Sequence, residues 1–454
     1  MFGKREAPLT DRDLRAIIAG LQYENQMLKK NTDGEPWYNR FDQYFEGEEL
    51  QHTLKYDPRL KRWFRYGAGV FHEMEESDID QIIFEWGDFT QEKLSPSRVS
   101  LLRSRIRAAV SFMGQWDPDP NVDNCLNGLV YKVERELHEH TWDYPSRNQI
   151  TRHFTPDVEV EIPDLFVEML KIITSETERA FFIQFCINVV HNFFEEEIFC
   201  IVYGPRNGGK STVLRIFELI FGRHNVSKTK LHGIGKRFGL SQIYYRKVNV
   251  NPDLPIVPLT DETISTLKQL TGNDGMIEVE LKGRDLFTYF IQCFLVFGIN
   301  QLPGFKSSSE KEIESIFRRV LLISIPETQK KNPAFKKSTE DPKFLDQLYS
   351  WLVCRRPLPI IEDIDIWVNS QQEKWLMNAN PILAILKQKY SYSKGRVIAC
   401  REVYEYVLHE LENDGILTTQ QLQTNVTQAL QTMKIYKNAQ RGANAKYENI
   451  KEVI

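Results

Sequence analysis

Three features of the sequence predict an α/β fold. Ile198–Val202 is a short apolar run rich in β-branched residues, the pattern of a buried parallel strand. It turns through a glycine-rich loop directly into an apolar helical stretch, Val213–Phe221. Further apolar runs then lead to Asp253, Asn300 and Pro326, and helical periodicity reappears on both sides of the set.

Composition narrows the class of protein. With 454 residues there is room for about two to four domains, each able to bury a core. Charged residues at 26% and aromatics at 12% describe a folded chain rather than a disordered one. A net charge of −4 excludes blanket affinity for nucleic acid, so any DNA contact must come from local basic surfaces. No run approaches the ~18 apolar residues of a membrane span, and Met1–Leu9 lacks a secretory core. The expectation is therefore an intracellular protein with no membrane partner. Cys125, Cys186, Cys200, Cys293, Cys354 and Cys400 are scattered without a CxxC, which argues against a zinc site or a disulfide framework.

Taken in order, the chain opens with Asp11–Lys30, helical in period behind the N-cap Thr10: a domain's first helix or a docking helix. Leu60–Val70 mixes bases with aromatics, and Ser97–Val110 carries Arg98, Arg103, Arg105 and Arg107 on a helix. Either could touch nucleic acid or form a solvated face. Residues 1–115 read as a helical N-terminal domain. Residues 116–163, with short β-type runs broken by Pro, Asn and Gly, read as a strand- and loop-rich connector. Helical periodicity returns over Asp164–Glu195 and feeds the first strand of a domain spanning 164–330. A helical linker over 331–375 and a tail over 376–454 complete the chain. The tail's own pattern is two or three amphipathic helices, a polar loop at Arg441-Gly442 and a closing strand.

The loop Gly204-Pro205-Arg206-Asn207-Gly208-Gly209-Lys210-Ser211-Thr212 spells GxxxxGK[ST] between a strand and a helix. Its glycines let backbone N–H groups close on phosphate oxygens, and the helix N-terminus adds partial positive charge. Lys210 is placed to reach the β- and γ-phosphates and the Ser211 hydroxyl to hold Mg²⁺, so ATP and Mg²⁺ are the expected ligands. Gly222–Pro252 then contains no acid but carries Arg223, Lys228, Lys230, Lys236, Arg237, Arg246 and Lys247. That stretch either meets DNA or a neighbouring subunit's nucleotide, or is a solvated surface.

An NTPase also needs a carboxylate for Mg²⁺ and the attacking water. Asp253, ending the run Tyr245–Asp253, is one candidate. Asp261-Glu262 is the competing pair, behind a proline-interrupted run that makes a poor central strand. Met276–Phe290 reads as a hairpin with Lys282, Gly283 and Arg284 near its tip. Lys282 there faces DNA or pairs with Glu278 or Glu280. The run Cys293–Asn300 ends in an amide, and Ile316–Pro326 begins with Arg318 and Arg319.

From about Asp164 to Pro326 these motifs, in this order, resemble superfamily 3 helicases, of the primase-helicase type found in poxviruses, other large DNA viruses, phages and plasmids. GPRNGGKST is similar to motif A, with an extra glycine after Asn207, and RFGLSQIYYRKVNVNPDLP to the approach to motif B, with one acid where many relatives have two. LKQLTGNDGMIEVELKGRD resembles the family's hairpin segment, LVFGINQLP motif C, and FRRVLLISIP the arginine segment. The resemblance implies an AAA+ ATPase domain, followed by a winged-helix tail, in a homohexameric ring around single-stranded or forked DNA. It further implies Asn300 as the sensor that positions water, Arg318 or Arg319 as a finger acting on the next subunit, and Lys282 and Arg284 as grips on the DNA backbone. A primase or polymerase is the implied partner. Asp78-Ile79-Asp80 and Asp363-Ile364-Asp365 do not make a convincing primase centre. The expected activity is ATP-dependent DNA unwinding in replication of a virus, phage or mobile element. The alternative is an ATP-gated initiator or loader with little sustained unwinding.

Overall fold

The computed structural model describes residues 37–156, 161–254, 257–272, 276–280, 282, 286–306, 310–330, 332–379 and 381–410, then 423, 426–427, 429–430, 433, 435–437 and 445–452. The helix expected over 11–30, Gly283, Arg284 and the polar loop at Arg441-Gly442 lie outside them. The chain divides into two units, one comprising residues up to 130 with 138–149, the other 131–137 with 150 onward.

In the first unit, helices Trp37–Gly47, Glu76–Thr90 and Pro96–Ala109 share one core with an antiparallel meander, Leu54–Asp57, Arg62–Gly67 and Val70–Met74. Phe41, Trp63, Ile83, Trp86 and Leu102 are its buried centre. The sequence predicts a helical region here, and the meander is a correction to that. The basic-aromatic run around Trp63 and Phe64 is a strand, and the tight turn after it uses Ala68 and Gly69 at positive φ. The arginines of the third helix are engaged within this unit. Arg103 binds Asp80 and Glu76, Arg105 binds Asp42, Arg107 lies over the Tyr56 and Trp63 rings, and Arg98 lies over Trp37. Residues 116–163 fall partly in each unit, and their short strands include Val122–Cys125 and Gly128–Tyr131.

The second unit is built on a five-stranded, wholly parallel sheet. Helices α1 (Asp164–Leu170) and α2 (Glu176–Val190) lead to strand β1 (Phe199–Tyr203) and helix α3 (Lys210–Phe221). There follow β2 (Val226–Ser227), β3 (Val248–Leu254), helix α4 (Asp261–Thr271), β4 (Phe294–Ile299), helix α5 (Glu310–Phe317) and β5 (Val320–Ser324). The strand order is β5-β1-β4-β3-β2. Every residue of β1 and β4 is buried, which is why both read as unbroken apolar runs rather than as alternations. Phe182 and Phe185 of α2 meet Phe217 of α3 edge-on at 6.1 and 6.2 Å. Each such ring, fully buried, contributes roughly 1.5–3 kcal/mol.

Helices α6 (Pro333–Ser338), α7 (Pro342–Val353) and α8 (Ile364–Ala379) follow the sheet. Beyond them, Pro381–Lys389 and Cys400–Glu410 are helices packed with an antiparallel sheet of Tyr390–Ala399, Lys446–Glu452 and Tyr436–Lys437. Leu386, Tyr390, Val403, Val407, Tyr447 and Ile450 form a separate core there. The result is a mixed α/β chain. All six cysteines are buried. Among the described residues, no helix is long and apolar enough to cross a membrane.

Candidate nucleotide-binding site

In a parallel sheet the carboxyl ends of the strands face one edge, where ligands are received. β1 gives way there to Gly204, which has a φ of +146°; a Cβ on it would lie 1.9 Å from the Ile325 carbonyl oxygen. No other residue fits, because the backbone leaving β5 passes at that point. The Ile325 amide donates to the Tyr203 carbonyl at 2.9 Å, and the Gln329 amide to the Asn207 carbonyl at 2.9 Å. The loop is thus braced by the chain after β5. Gly209, at φ +95°, caps α3 and lets the chain turn into it.

Lys210 opens α3 and its side chain folds back over the loop. The ammonium donates to the carbonyls of Gly204 (2.8 Å) and Pro205 (2.7 Å) and to Asn300 Oδ1 (2.9 Å), which engages all three of its protons. Lys210 is 6% exposed. Burial lowers its pKa, and the nearby Asp253 carboxylate acts in the opposite direction. Strand β4, which ends just before Asn300, lies between β1 and the strand of Asp253, so the sheet order itself gathers Lys210, Asn300 and Asp253. Asp253 is exposed, within the break in the β3–β4 register between Asn251 and Leu254.

Asp261 and Glu262 stand elsewhere. Leu259–Thr260 pairs with Phe305–Lys306 in a separate two-stranded sheet. Thr260 Oγ1 accepts from the Thr263 amide as the N-cap of α4, and the two acids occupy the first helical turn. Carboxylates there complement the helix dipole, which accounts for the pair without chemistry.

Ser211 and Thr212 follow Lys210 in the first turn of α3, with Ser211 exposed. Together with Asn207, Gly208, Gly209 and Lys210 they line a cleft of about 780 Å³. Its other walls were not singled out in the sequence. Glu168, Met169 and Ile172 come from α1 and its end, and Gln329, Asn332, Pro333, Phe335 and Lys336 from the start of α6 and the residues before it. The only sequence signal for the second wall is Asn332-Pro333, an N-cap followed by a proline at the first helical position. Arg206 is exposed on the loop beyond Pro205.

The arginines lie at the other edge of the sheet. Arg318 and Arg319 precede β5, and β5 runs parallel to β1 with Val320 opposite Phe199 and Ser324 opposite Tyr203. Five residues at about 3.3 Å each separate them from the loop edge, roughly 16 Å. Arg319 binds Glu197 and donates to the Ser315 carbonyl. Arg318 is half exposed, and its partner is Glu314 one helical turn away at 2.9 Å. The sequence offered the two arginines as equals, but only Arg318 projects.

The hairpin forms between Met276–Val279 and Phe287–Phe290. Lys282 is exposed in the turn and, among the described residues, makes no ion pair; Glu280 instead takes Arg237, with Nε 2.9 Å from Oε2. Tyr244 packs edge-on against Phe287 and Tyr289. Part of the basic stretch is likewise accounted for locally, since Arg223 and Lys228 both bind Glu218 and Arg246 lies over Tyr245. Among the described residues no cluster of His, Cys, Asp or Glu could hold a metal ion by itself.

Residues 202–319 match the model of a family of unknown function, DUF5906. No curated protein matches the chain. Solved structures to which it is similar include three of the C-terminal region of NrS-1. Two apo structures, one of them described as the A form, have 12% and 13% identity, TM-scores of 0.46, and matches covering 89% of this chain and 98% of that one. Another A form apo structure, of residues 305–718, has 14% identity, a TM-score of 0.44, and coverage of 85% and 84%.

Proposed function

We propose that this chain is an ATP-dependent motor on DNA, a superfamily 3-type AAA+ helicase acting in phage or viral replication. The observation that carries the reading is the convergence of Lys210, Asn300 and Asp253 at the carboxyl edge of the parallel sheet, with Arg318 at the opposite edge. The glycine loop and the α3 N-terminus receive the triphosphate. Lys210 exchanges the loop carbonyls and Asn300 for phosphate oxygens, and Asn300, so released, orients the attacking water. Ser211 and Asp253 offer exposed hard oxygen donors suited to Mg²⁺, which would neutralise phosphate charge. Met169, Ile172, Pro333 and Phe335 supply apolar surface for the base.

Asp253→Asn is expected to retain ATP binding while turnover falls ~10² or more, because the amide keeps the shape and loses the charge. Asp261→Asn and Glu262→Gln should hydrolyse normally. The reverse pattern would move the essential acid to α4.

A helicase reading also requires that DNA drive turnover. Arg318 projects from an edge its own loop cannot use, which supports a ring of identical subunits, and the exposed Lys282 supports a hairpin grip on single-stranded DNA. The test is ATP turnover and duplex unwinding with and without single-stranded DNA, for the unaltered protein and for Lys282→Ala. The variant should keep basal turnover and lose DNA stimulation and unwinding together. Its salt dependence of DNA binding should flatten by about one unit of slope for each phosphate that the lysine no longer neutralises. Unwinding at the unaltered rate would remove the hairpin from the mechanism. ATP-dependent DNA binding without sustained unwinding by the unaltered protein would favour an initiator or loader, to which the small C-terminal sheet domain, read as a winged helix, is equally suited.

A further inference from the structure

The loop that follows Asn300 is held by residues distant in sequence. The Leu302 amide donates to Asn378 Oδ1 at 2.6 Å, and Gln301 Nε2 reaches the Ala379 carbonyl at 3.4 Å. The Trp375 indole donates to the Pro303 carbonyl at 2.8 Å, and its ring stacks on Phe305 at 5.4 Å. The three residues after Asn300 are therefore all tied to the last turn of α8. One turn earlier, Gln371 Oε1 accepts from the Leu322 amide in β5. Lys374 binds Glu178, which itself accepts from the Ser324 amide. A single helix thus grips both β5 and the loop leaving β4, and Pro381 then opens the helix that leads into the C-terminal core.

We propose that Asn378 is a positioning residue for Asn300, and that through it α8 carries the nucleotide state of the site to the C-terminal core that begins after Pro381. The inference rests on the nucleotide reading above. Asn300 Oδ1 accepts from the Lys210 ammonium. A phosphate that takes this ammonium removes the donor and releases Asn300 with its loop to a second arrangement. Leu302 is buried, so its amide is satisfied in either arrangement only if Asn378 follows it. Gln371 and Lys374 hold the helix to β5 and to Glu178, so a shift at Asn378 is passed along its last turn toward Pro381 rather than spread through its length.

The experiment is hydrogen exchange on the full chain with and without ATP and Mg²⁺, for the unaltered protein, Asn378→Ala and Asn378→Asp, alongside turnover. In the unaltered protein ATP should alter protection at 204–212, 300–304 and 381–407. In Asn378→Ala the response at 381–407 should vanish while 204–212 still responds. Its kcat should fall roughly tenfold, with KM within about twofold, as expected for a displaced rather than a missing group. Asn378→Asp keeps an oxygen for the Leu302 amide and should restore both. No response at 204–212 in the unaltered protein overturns the nucleotide reading and this inference with it. A response there without one at 381–407 overturns the coupling alone. An Asn378→Ala protein that keeps the distant response and its kcat removes Asn378 from the positioning role.

Discussion

Replacing Lys210 by alanine is expected to lower ATP turnover by about 10²- to 10³-fold or more, to the limit of detection in an assay that follows phosphate release. The size follows from removing a preorganised positive charge from the transferring phosphate. Folding should survive. The ammonium holds the carbonyls of Gly204 and Pro205 and Asn300 Oδ1, and Lys210 itself lines the cleft, so water entering in place of its side chain can satisfy those acceptors. The loop itself is shaped by Gly204 against Ile325 and by Gln329 against Asn207, neither of which involves the lysine side chain. A thermal melt near that of the unaltered protein, together with lost turnover, is the expected pair of results. Turnover at the unaltered rate would remove this loop from the chemistry.

Arg318→Ala should be comparably damaging, but its defect should be repairable by mixing. The parallel pairing of β5 with β1 leaves Arg318 about the length of the sheet from its own glycine loop, further than an arginine side chain spans. On the proposed reading it meets the triphosphate of a neighbouring molecule. Arg318→Ala and Lys210→Ala proteins, each inactive alone, should regain part of the activity when mixed, because some interfaces then join an intact loop to an intact arginine. No recovery at any ratio, with mixed particles verified by mass, would reject the shared site. Arg319→Ala should behave differently. It leaves Glu197 without its partner at the entrance to β1, so the expected first sign is a lowered melting temperature, and mixing should not repair it.

Much of the central sheet was legible because its chemistry is local. The run expected at Ile198–Val202 is a strand at Phe199–Tyr203, and those expected before Asp253, Asn300 and Pro326 are strands within a few residues of their expected places. Continuous burial leaves an unmistakable apolar signature. The order of those strands was not legible, and that order brings Asn300 onto Lys210. The arginines looked alike because their difference is a tertiary contact, Glu197 to Arg319. Asp261 and Glu262 compete with Asp253 in the sequence; the structure places the pair in the first turn of a helix capped by Thr260, and Asp253 in a strand of the parallel sheet. The N-terminal meander was missed because its strands are short and amphipathic, with arginines interleaved among the aromatics. The cleft's second wall and the Asn378 contact share one cause. Each joins residues from separate segments, and no periodicity within either segment carries that information.

The strand order also sets a timetable for the newly made chain. The first unit's meander pairs strands adjacent in sequence, so its core can close while synthesis continues. Strand β1 is made next but has no neighbour in the sheet until β4 and β5 have emerged, and Gly204 meets no wall until Ile325 arrives. In the interval a wholly apolar strand is exposed, with both edges unpaired, in the form most prone to associate with other copies. Truncations ending between residues 204 and 293 should therefore aggregate around Phe199–Tyr203, whereas a chain ending after Ser324 has every partner that strand requires.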